Sequence, residues 1–121
     1  AVTRAGLFPA GIIARELDIR YVETIGVEGY DDQTKKTARI IKDCQDAYRD
    51  KVIVLDDLVD TGETFKLLRE QINGLFVTIF AKPDGRPLVD IYRRDVDQHI
   101  WVRFPWDTRR QYIEPIIHKN T

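Results

Sequence analysis

Acidic residues crowd the end of one apolar segment of the chain. The stretch KVIVLDDLVDTGETF, residues 51–65, passes from branched apolar residues into Asp56 and Asp57, and a third acid, Asp60, follows in the same turn. Adjacent carboxylates accept hydrogen bonds from sugar hydroxyls or bind a hard cation such as Mg²⁺, which prefers oxygen ligands. These acids therefore predict a site for a hydroxyl-bearing ligand, a metal ion, or both.

The residues after Asp60 suit a phosphate group. Gly62 lets the backbone approach a ligand closely, and Thr61 and Thr64 add hydroxyl donors. The helix expected here would present unpaired N–H groups and a partial positive charge at its start. A simpler alternative is that Asp60 or Thr61 only caps this helix. Three acids, a glycine and two threonines exceed what a cap needs, so the stretch predicts a sugar-phosphate site.

Two other motifs with related chemistry do not fit the sequence. A P-loop requires Gly-x4-Gly-Lys-Ser/Thr, and no such string occurs. A phosphatase-type Asp-x-Asp pair also fails, because the next acid after Asp57 is Asp60.

The elements that must position these residues alternate between helices and strands. KVIVLDD, residues 51–57, is a continuous apolar segment typical of a strand buried on both faces. This order predicts an α/β fold with a mostly parallel central sheet flanked by helices, in which ligands bind beyond the carboxyl ends of the strands. The other predicted elements are a helix from Pro9 to about Leu17, a strand over Ile19–Glu28, a mobile polar excursion over Tyr30–Asp50, a helix over Thr64–Ile72, a strand over Leu75–Pro83 and a short strand over His99–Arg103.

Composition limits the class of protein. The chain has 121 residues and 43% hydrophobic content, which suits a single domain with one core. The formal net charge of −1 provides no broad basic field for nucleic acid, and no apolar run approaches the roughly 20 residues of a membrane span. A single cysteine, Cys44, suggests a reducing, cytoplasmic setting. Only Ala1 and Val2 precede the first turn, so we expect an N-terminal piece to be missing.

Three stretches together resemble a known family. VIVLDDLVDTGET resembles the signature of the type I phosphoribosyltransferases, which bind 5-phosphoribosyl 1-diphosphate, and AVTRAGLFPAGIIARELDI resembles their pyrophosphate loop. VTIFAKPDGRPLVDIY and IWVRFPWD are similar to the bacterial xanthine-guanine (hypoxanthine) subgroup. The resemblance implies the type I phosphoribosyltransferase fold in a single domain, residues 1–121, with a mobile loop at about 30–50 and a small C-terminal base-binding hood at about 84–121.

The activity implied by the resemblance is transfer of the 5-phosphoribosyl group to N9 of a 6-oxopurine: guanine, xanthine or hypoxanthine. The products are the nucleoside monophosphate and pyrophosphate, the cofactor is Mg²⁺, and the expected assembly is a homodimer or homotetramer in the cytoplasm. Two alternatives stay open at this point. One is a regulatory protein of the same fold that senses phosphoribosyl diphosphate, and the other is a phosphoribosyltransferase for another base.

The resemblance also implies roles for particular residues. Asp60 would be the catalytic residue that takes up or stabilises the N7 proton of the purine, and Asp57 would bind Mg²⁺. The peptide bond at Arg4 is expected to be a non-proline cis bond, and the Glu63 side chain is expected to point to solvent. The implied substrate-binding residues are Arg4, Ala5, Lys36, Asp56, Asp57, Leu58, Val59, Asp60, Thr61, Gly62, Glu63, Thr64, Lys82, Trp101 and Val102.

Within this set, Lys82, Trp101 and Val102 would hold the base. Lys82 would donate to the purine O6, Trp101 would stack on the ring, and the Val102 backbone would meet the base edge. The ordinary alternatives are a surface lysine and a core tryptophan. Outside the set, Trp106 is assigned to packing, Asp107 to the neighbourhood of the metal and Arg103 to the purine 2-position. Tyr30 and Lys35 are assigned to the mobile loop, together with Lys36 of the set, and His99 and His118 to structural positions.

Overall fold

A computed structural model describes residues 1–32, 35–48, 51–107 and 114–118, and for residues 30–32, 35, 36 and 48 only the backbone is described. The strands and helices are β1 (Val2–Thr3), α1 (Leu7–Glu16), β2 (Ile25–Asp32), β3 (Lys35–Lys42), β4 (Val52–Leu55), β5 (Leu58–Val59), α2 (Glu63–Arg69), β6 (Gly74–Ala81) and β7 (Ile91–Asp95). Short 3₁₀ turns lie at Gln45–Tyr48, Arg86–Leu88 and Ile116–His118. No helix among the described residues has the length and apolar character needed to cross a membrane.

Strand β6 is the centre of the larger sheet. β4 and β5 pair parallel with successive parts of β6 along one edge, with Leu55 opposite Val77 and Leu58 opposite Phe80. β7 pairs parallel with the other edge of β6. The predicted α/β architecture with a parallel sheet is therefore confirmed. In such a sheet the carboxyl ends of β4, β5 and β6 face the same side, where ligands bind.

The smaller sheet corrects two sequence predictions. β1 pairs parallel with β2, and β2 pairs antiparallel with β3. Residues 35–42 thus form a regular strand where the sequence predicted no strand, and the mobility of this segment stays a prediction. The apolar residues of β3, namely Ala38, Ile40 and Ile41, form too short a patch to predict the strand from its pattern. The predicted strand over Ile19–Glu28 begins only at Ile25, because the exposed residues 19–23 have no strand neighbour to pair with among the described residues.

The C-terminal part differs from the prediction in a similar way. Residues 99–103 form no strand, and the strand that follows β6 is Ile91–Asp95. Its sequence, IYRRD, lies mostly exposed at the edge of the sheet, and its place is set by the backbone ladder to β6 rather than by apolar burial. Sequence patterns that depend on burial miss such edge strands.

The core holds α2 against β6. Phe65 and Leu68 of α2 and Phe76 of β6 are at most 1% exposed, and the Phe65 and Phe76 rings meet edge to face with centroids 5.0 Å apart. Arg69, at the end of α2, places its guanidinium 4.2 Å from the centroid of the Phe76 ring and 2.8 Å from Asp90. Because α2 is fixed at both ends, the turn that precedes it is fixed at the carboxyl end of β5.

Helix α1 buries little of its surface. It begins at Leu7 and buries Pro9 and Ala10. The apolar residues Leu7, Phe8 and Ile12 of the helix are exposed, as is Leu17 directly after it. The described part of the chain therefore leaves an apolar face on this helix uncovered.

Candidate active site

The acidic pair lies where β4 gives way to β5. The Asp56 N–H donates to the Val77 carbonyl at 3.1 Å, and the Ile79 N–H donates to the Asp57 carbonyl at 3.1 Å. Strand β6 thus fixes the main chain of both acids, and these backbone hydrogen bonds do not use their carboxylates. The Asp57 N–H also donates to Asp56 Oδ1 at 2.9 Å.

Crowding disfavours the ionised forms of both carboxyl groups. Burial raises the pKa of Asp56 well above its ordinary value, and the nearby charge of Asp57 adds to the rise. Burial also raises the pKa of Asp57, and the negative charge of Asp107 contributes to it. The predicted place of Asp107 near a metal ion stays a prediction. A cation placed among these groups would favour their charged forms.

The turn from Asp60 to Thr64 wraps back on the protein. Gly62 has φ +90°, and a Cβ atom on it would overlap Leu88 Cδ1 and come within 3.3 Å of Gly85 Cα, so only glycine fits without strain. Gly62 is also the N-cap residue immediately before α2, and no side chain caps this helix. The alternative that Asp60 or Thr61 serves as a helix cap is therefore not what the structure shows. The first N–H groups of α2 have no capping side chain, and a ligand would find them available.

A cleft of about 200 Å³ runs along this turn. A second cleft of about 230 Å³ is lined mainly by apolar residues of α1, residues 19–25 and β4, and none of the acids at positions 56–60 reaches it. Asp56 and Asp60 line the smaller cleft, whereas Asp57 and Lys82 lie outside its lining. Its walls are Gly29, Thr37, Ala38, Asp56, Leu58, Val59, Asp60, Thr61, Gly62, Glu63, Thr64 and Phe65.

Three polar side chains meet at one end of this turn. Lys82, only 5% exposed, follows β6 and places Nζ 3.5 Å from Oδ2 of Asp60. The side-chain amide of Gln98 donates to Oδ1 of Asp60 at 2.7 Å. The prediction brought Asp60 and Lys82 to the same end of the sheet, but it did not include Gln98. No sequence signal marks that glutamine, which lies in a polar stretch between β7 and Trp101.

The loop after β1 lies against the end of β4. The peptide bond between Thr3 and Arg4 is cis, the non-proline cis bond that the resemblance implied. A Cβ atom on Gly6 would come within 2.7 Å of the Leu55 carbonyl, so this loop passes directly beside the residue that precedes Asp56. Arg4 is exposed and Ala5 is half-buried in this turn.

Aromatic residues of the C-terminal segment have different environments. Trp101 is 59% exposed, with Val102 beside it half-buried. Trp106 stacks between Phe8 and Phe104, with ring centroids 5.2 and 4.8 Å away. The packing role predicted for Trp106 is thus confirmed, and Trp101 has its ring available for a ligand.

For several other predicted residues the structure tests the predicted role only in part or not at all. Glu63 is half-buried in the first turn of α2 and lines the cleft, and the predicted solvent-facing orientation of its side chain stays a prediction. Lys35 and Lys36 lie in β3 and Tyr30 in β2, and their side chains fall outside the described part of the chain. Besides Gln98, the sequence also missed Gly29, Thr37 and Ala38 of the hairpin as cleft residues.

Comparison with known proteins resolves the family. A family model described as the phosphoribosyl transferase domain matches residues 1–113. The chain belongs to the phosphoribosyltransferase family. A xanthine-guanine phosphoribosyltransferase from Chromohalobacter salexigens is 44% identical over 118 residues, which are 97% of this phosphoribosyltransferase chain and 72% of that protein.

Solved structures agree on the fold. A purine phosphoribosyltransferase from Pyrococcus horikoshii matches with a TM-score of 0.74 at 24% identity, over 95% of this chain and 79% of its own. A xanthine-guanine-hypoxanthine phosphoribosyltransferase from Helicobacter pylori matches with a TM-score of 0.69 at 19% identity, over 88% of this chain and 73% of its own. The type I phosphoribosyltransferase fold predicted from the sequence is therefore confirmed for this phosphoribosyltransferase.

The acidic pair of this phosphoribosyltransferase suits a magnesium ion. Among the described residues, no group of three or more His, Cys, Asp or Glu side chains is arranged to enclose a metal. Mg²⁺ needs no such cage, because it keeps several waters and is commonly bound by one or two carboxylates together with substrate phosphates. Asp56 and Asp57, crowded and partly buried, provide carboxylates of this kind.

Proposed function

We propose that this protein transfers the 5-phosphoribosyl group of phosphoribosyl diphosphate to N9 of a 6-oxopurine and releases pyrophosphate. The observation that carries the proposal is the Lys82–Asp60 pair, which lies at the carboxyl edge of a parallel sheet beside the Gly62 turn. The name and 44% identity of the Chromohalobacter relative support the same activity in purine salvage.

Lys82 and Asp60 match one edge of the base. N7 and O6 are neighbouring acceptors on the same edge of guanine. The buried ammonium of Lys82 would donate to O6, which an adenine 6-amino group cannot accept in the same way. Asp60, whose side chain is 53% exposed, would receive the proton that N7 carries as N9 forms its bond to C1′. One pair of side chains would thus select the base and remove its proton.

The turn from Asp60 to Thr64 would bind the 5′-phosphate. The uncapped N–H groups at the start of α2 and the hydroxyls of Thr61 and Thr64 are donors that suit an anion. Asp56, which lines the cleft, and its neighbour Asp57 would accept hydrogen bonds from the ribose hydroxyls. Leu58 and Val59, which pair with β6 between these two regions, set the distance from acids to turn.

The diphosphate would lie toward the loop after β1. Arg4 is exposed there and would contact the diphosphate through its side chain or main chain, with Ala5 beside it. Asp57 would hold Mg²⁺ directly or through water, with Asp56 and Asp107 close by. When bound, Mg²⁺ would neutralise charge on the leaving diphosphate. Lys36 would add a cation from the hairpin side.

The purine ring would be held by the segment after β7. The exposed face of Trp101 would stack on the base, and the Val102 backbone would meet its edge. The exposed Arg103 would lie near the purine 2-position and bias the choice among guanine, xanthine and hypoxanthine.

We also propose a cytoplasmic homodimer or homotetramer. The apolar side chains exposed on α1 (Leu7, Phe8, Ile12 and Leu17) support self-association, because a surface of this kind is costly to leave in water. The chain's single cysteine, Cys44, is a buried free thiol, which suits a reducing compartment. Sedimentation of the purified protein tests the assembly, and a monomer at every concentration would contradict it.

A direct assay tests the enzymatic proposal. The purified protein is incubated with phosphoribosyl diphosphate, Mg²⁺ and each base in turn, and nucleotide formation is followed by chromatography. We expect turnover with guanine, xanthine or hypoxanthine, little with adenine, orotate or uracil, and loss of turnover when EDTA removes Mg²⁺. Turnover only with adenine, orotate or uracil would show that the enzyme uses another base. No turnover with any base would overturn the proposal.

A further inference from the structure

Gln98 connects two parts of the active site that are distant in sequence. Its Nε2 atom donates to Asp60 Oδ1 at 2.7 Å and lies 3.5 Å from the Asp60 carbonyl oxygen. Its Oε1 atom accepts from the backbone N–H of Asp84 at 2.9 Å. One side chain therefore ties the segment after β7 both to the turn after β6 and to the turn after β5.

The orientation of the Gln98 amide follows from its partners. A backbone N–H only donates and an ionised carboxylate only accepts. The amide oxygen must therefore face Asp84, and the amide nitrogen must face Asp60. A rotated amide would place donor against donor at Asp84 and acceptor against acceptor at Asp60.

The Asp60 carboxylate thus has a different donor on each oxygen. Oδ1 receives the Gln98 amide, and Oδ2 lies 3.5 Å from Nζ of Lys82, whose side chain is only 7% exposed. With 53% of its own side chain exposed, Asp60 has little packing to hold it in one rotamer. Because a carboxylate offers about four acceptor positions, two donors fix its plane and still leave room for a ligand.

We propose that Gln98 is a positioning residue for Asp60, which holds the carboxylate plane so that one oxygen stays beside Lys82 and the remaining acceptor positions face the base. The inference rests on the proposed function, in which Asp60 receives the N7 proton. Proton transfer requires the acceptor within hydrogen-bond reach and correctly directed, so loss of the Gln98 donor would slow the chemical step. The 5′-phosphate turn would be unaffected.

The sharpest variant is Gln98→Glu. A glutamate keeps an oxygen for the Asp84 N–H but replaces the donor to Asp60 with a like charge. We expect kcat to fall roughly 10- to 100-fold, the range that a hydrogen bond to a charged group supports. The KM for phosphoribosyl diphosphate should stay within about twofold. Gln71→Glu makes the same chemical change at an exposed position after α2, and kcat should not change.

A double-mutant cycle separates positioning from a merely structural role. Gln98→Glu is introduced a second time into Asp60→Asn, where there is no carboxylate to orient. We expect the residual kcat of Asp60→Asn to change less than threefold, because the Gln98 effect passes through the missing group. An equal fall in both backgrounds would show that Gln98 acts on the fold, and that result would overturn the inference.

Other outcomes are equally informative. If Gln98→Glu lowers Tm, Gln98→Ala removes the donor without adding a charge and should show the same dependence on Asp60. Full kcat in either folded variant, with the wild type active, would overturn the inference and leave the proposed function intact. An inactive wild type would overturn the proposed function and the inference with it.

Discussion

Lys82 Nζ lies 3.5 Å from Asp60 Oδ2, and the sheet itself brings the two residues together. The Lys82 N–H donates to the Val59 carbonyl at 3.0 Å, which continues the ladder between β5 and β6 past the last paired residues. The ammonium and the carboxylate therefore stand at the ends of neighbouring parallel strands. Their separation depends on backbone hydrogen bonds rather than on a flexible loop.

Replacing Lys82 tests its contact with the base. Lys82→Met keeps most of the buried aliphatic volume and removes the donor, so kcat/KM for guanine or hypoxanthine should fall about 10- to 100-fold. The preference over adenine should fall with it. Steady-state assays with each base measure both quantities. Lys66→Met, on the exposed side of α2, is the control, and an unchanged preference in Lys82→Met would refute the assigned contact.

A pair of glycine substitutions tests the phosphate turn. Gly62→Ala must hold φ near +90° and overlap Leu88, so the free energy of unfolding should fall by about 1–2 kcal/mol or more. The KM for phosphoribosyl diphosphate should rise. Gly11→Ala lies in α1 with open space around its Cβ and should raise the free energy of unfolding by about 0.5–1 kcal/mol. Urea titration and kinetics check both, and equal stability changes would contradict the strained turn.

The two tryptophans should separate binding from stability. Trp101→Ala removes a mostly exposed ring, so Tm should hardly change while KM for the base rises about 5- to 150-fold, the range that 1–3 kcal/mol of base stacking provides. Trp106→Ala removes the ring between Phe8 and Phe104 and should cost on the order of 2 kcal/mol of stability. Calorimetry and base titrations measure these effects. A loss of stability in Trp101→Ala together with a higher KM for the base in Trp106→Ala would contradict the assignment of base binding to Trp101 and packing to Trp106.

Asp56 should make the protein less stable as the pH rises. Because folding raises its pKa above the ordinary value of 3.8, the folded protein keeps a proton that the unfolded chain has released. The free energy of unfolding then falls as the pH rises from 3.8 to the folded pKa, and it stays lower above that value. Asp56→Asn cannot ionise, so it should raise Tm at pH 7 and reduce this slope.

Thermal melts between pH 4 and pH 7 measure the effect of Asp56. Glu70→Gln, which neutralises an exposed acid at the end of α2, should leave the slope as it is in the wild type. A slope in Asp56→Asn equal to that of the wild type would contradict the burial of this carboxyl group.

The sequence predicts the parts of the fold and site that short-range patterns encode. The apolar run before Asp56 and the Gly62 turn give β4 and the start of α2, and the same run leads to the parallel sheet. A motif marks Asp60 and a strand end marks Lys82, and the structure brings these two residues together. Apolar burial and turn chemistry are local signals, and each is strong in this part of the chain.

The elements that were missed depend on partners distant in sequence. β3 exists because β2 offers an antiparallel edge, with Val27 opposite Ile40, and β7 exists because β6 has an open edge. Neither has an apolar alternation of its own. Gln98 was missed for the same reason, since its importance comes from Asp60 and Asp84, which only the folded chain brings within reach.

The stack of Phe8, Trp106 and Phe104 has a consequence for biosynthesis. Phe8 is translated before all the described strands except β1, and its ring partner Trp106 is translated after all of them. A nascent chain thus contains Asp56, Asp57 and Asp60 before it can form the aromatic stack. Synthesis order therefore delays the packing of Phe8 against Trp106 until nearly the whole described chain has been translated.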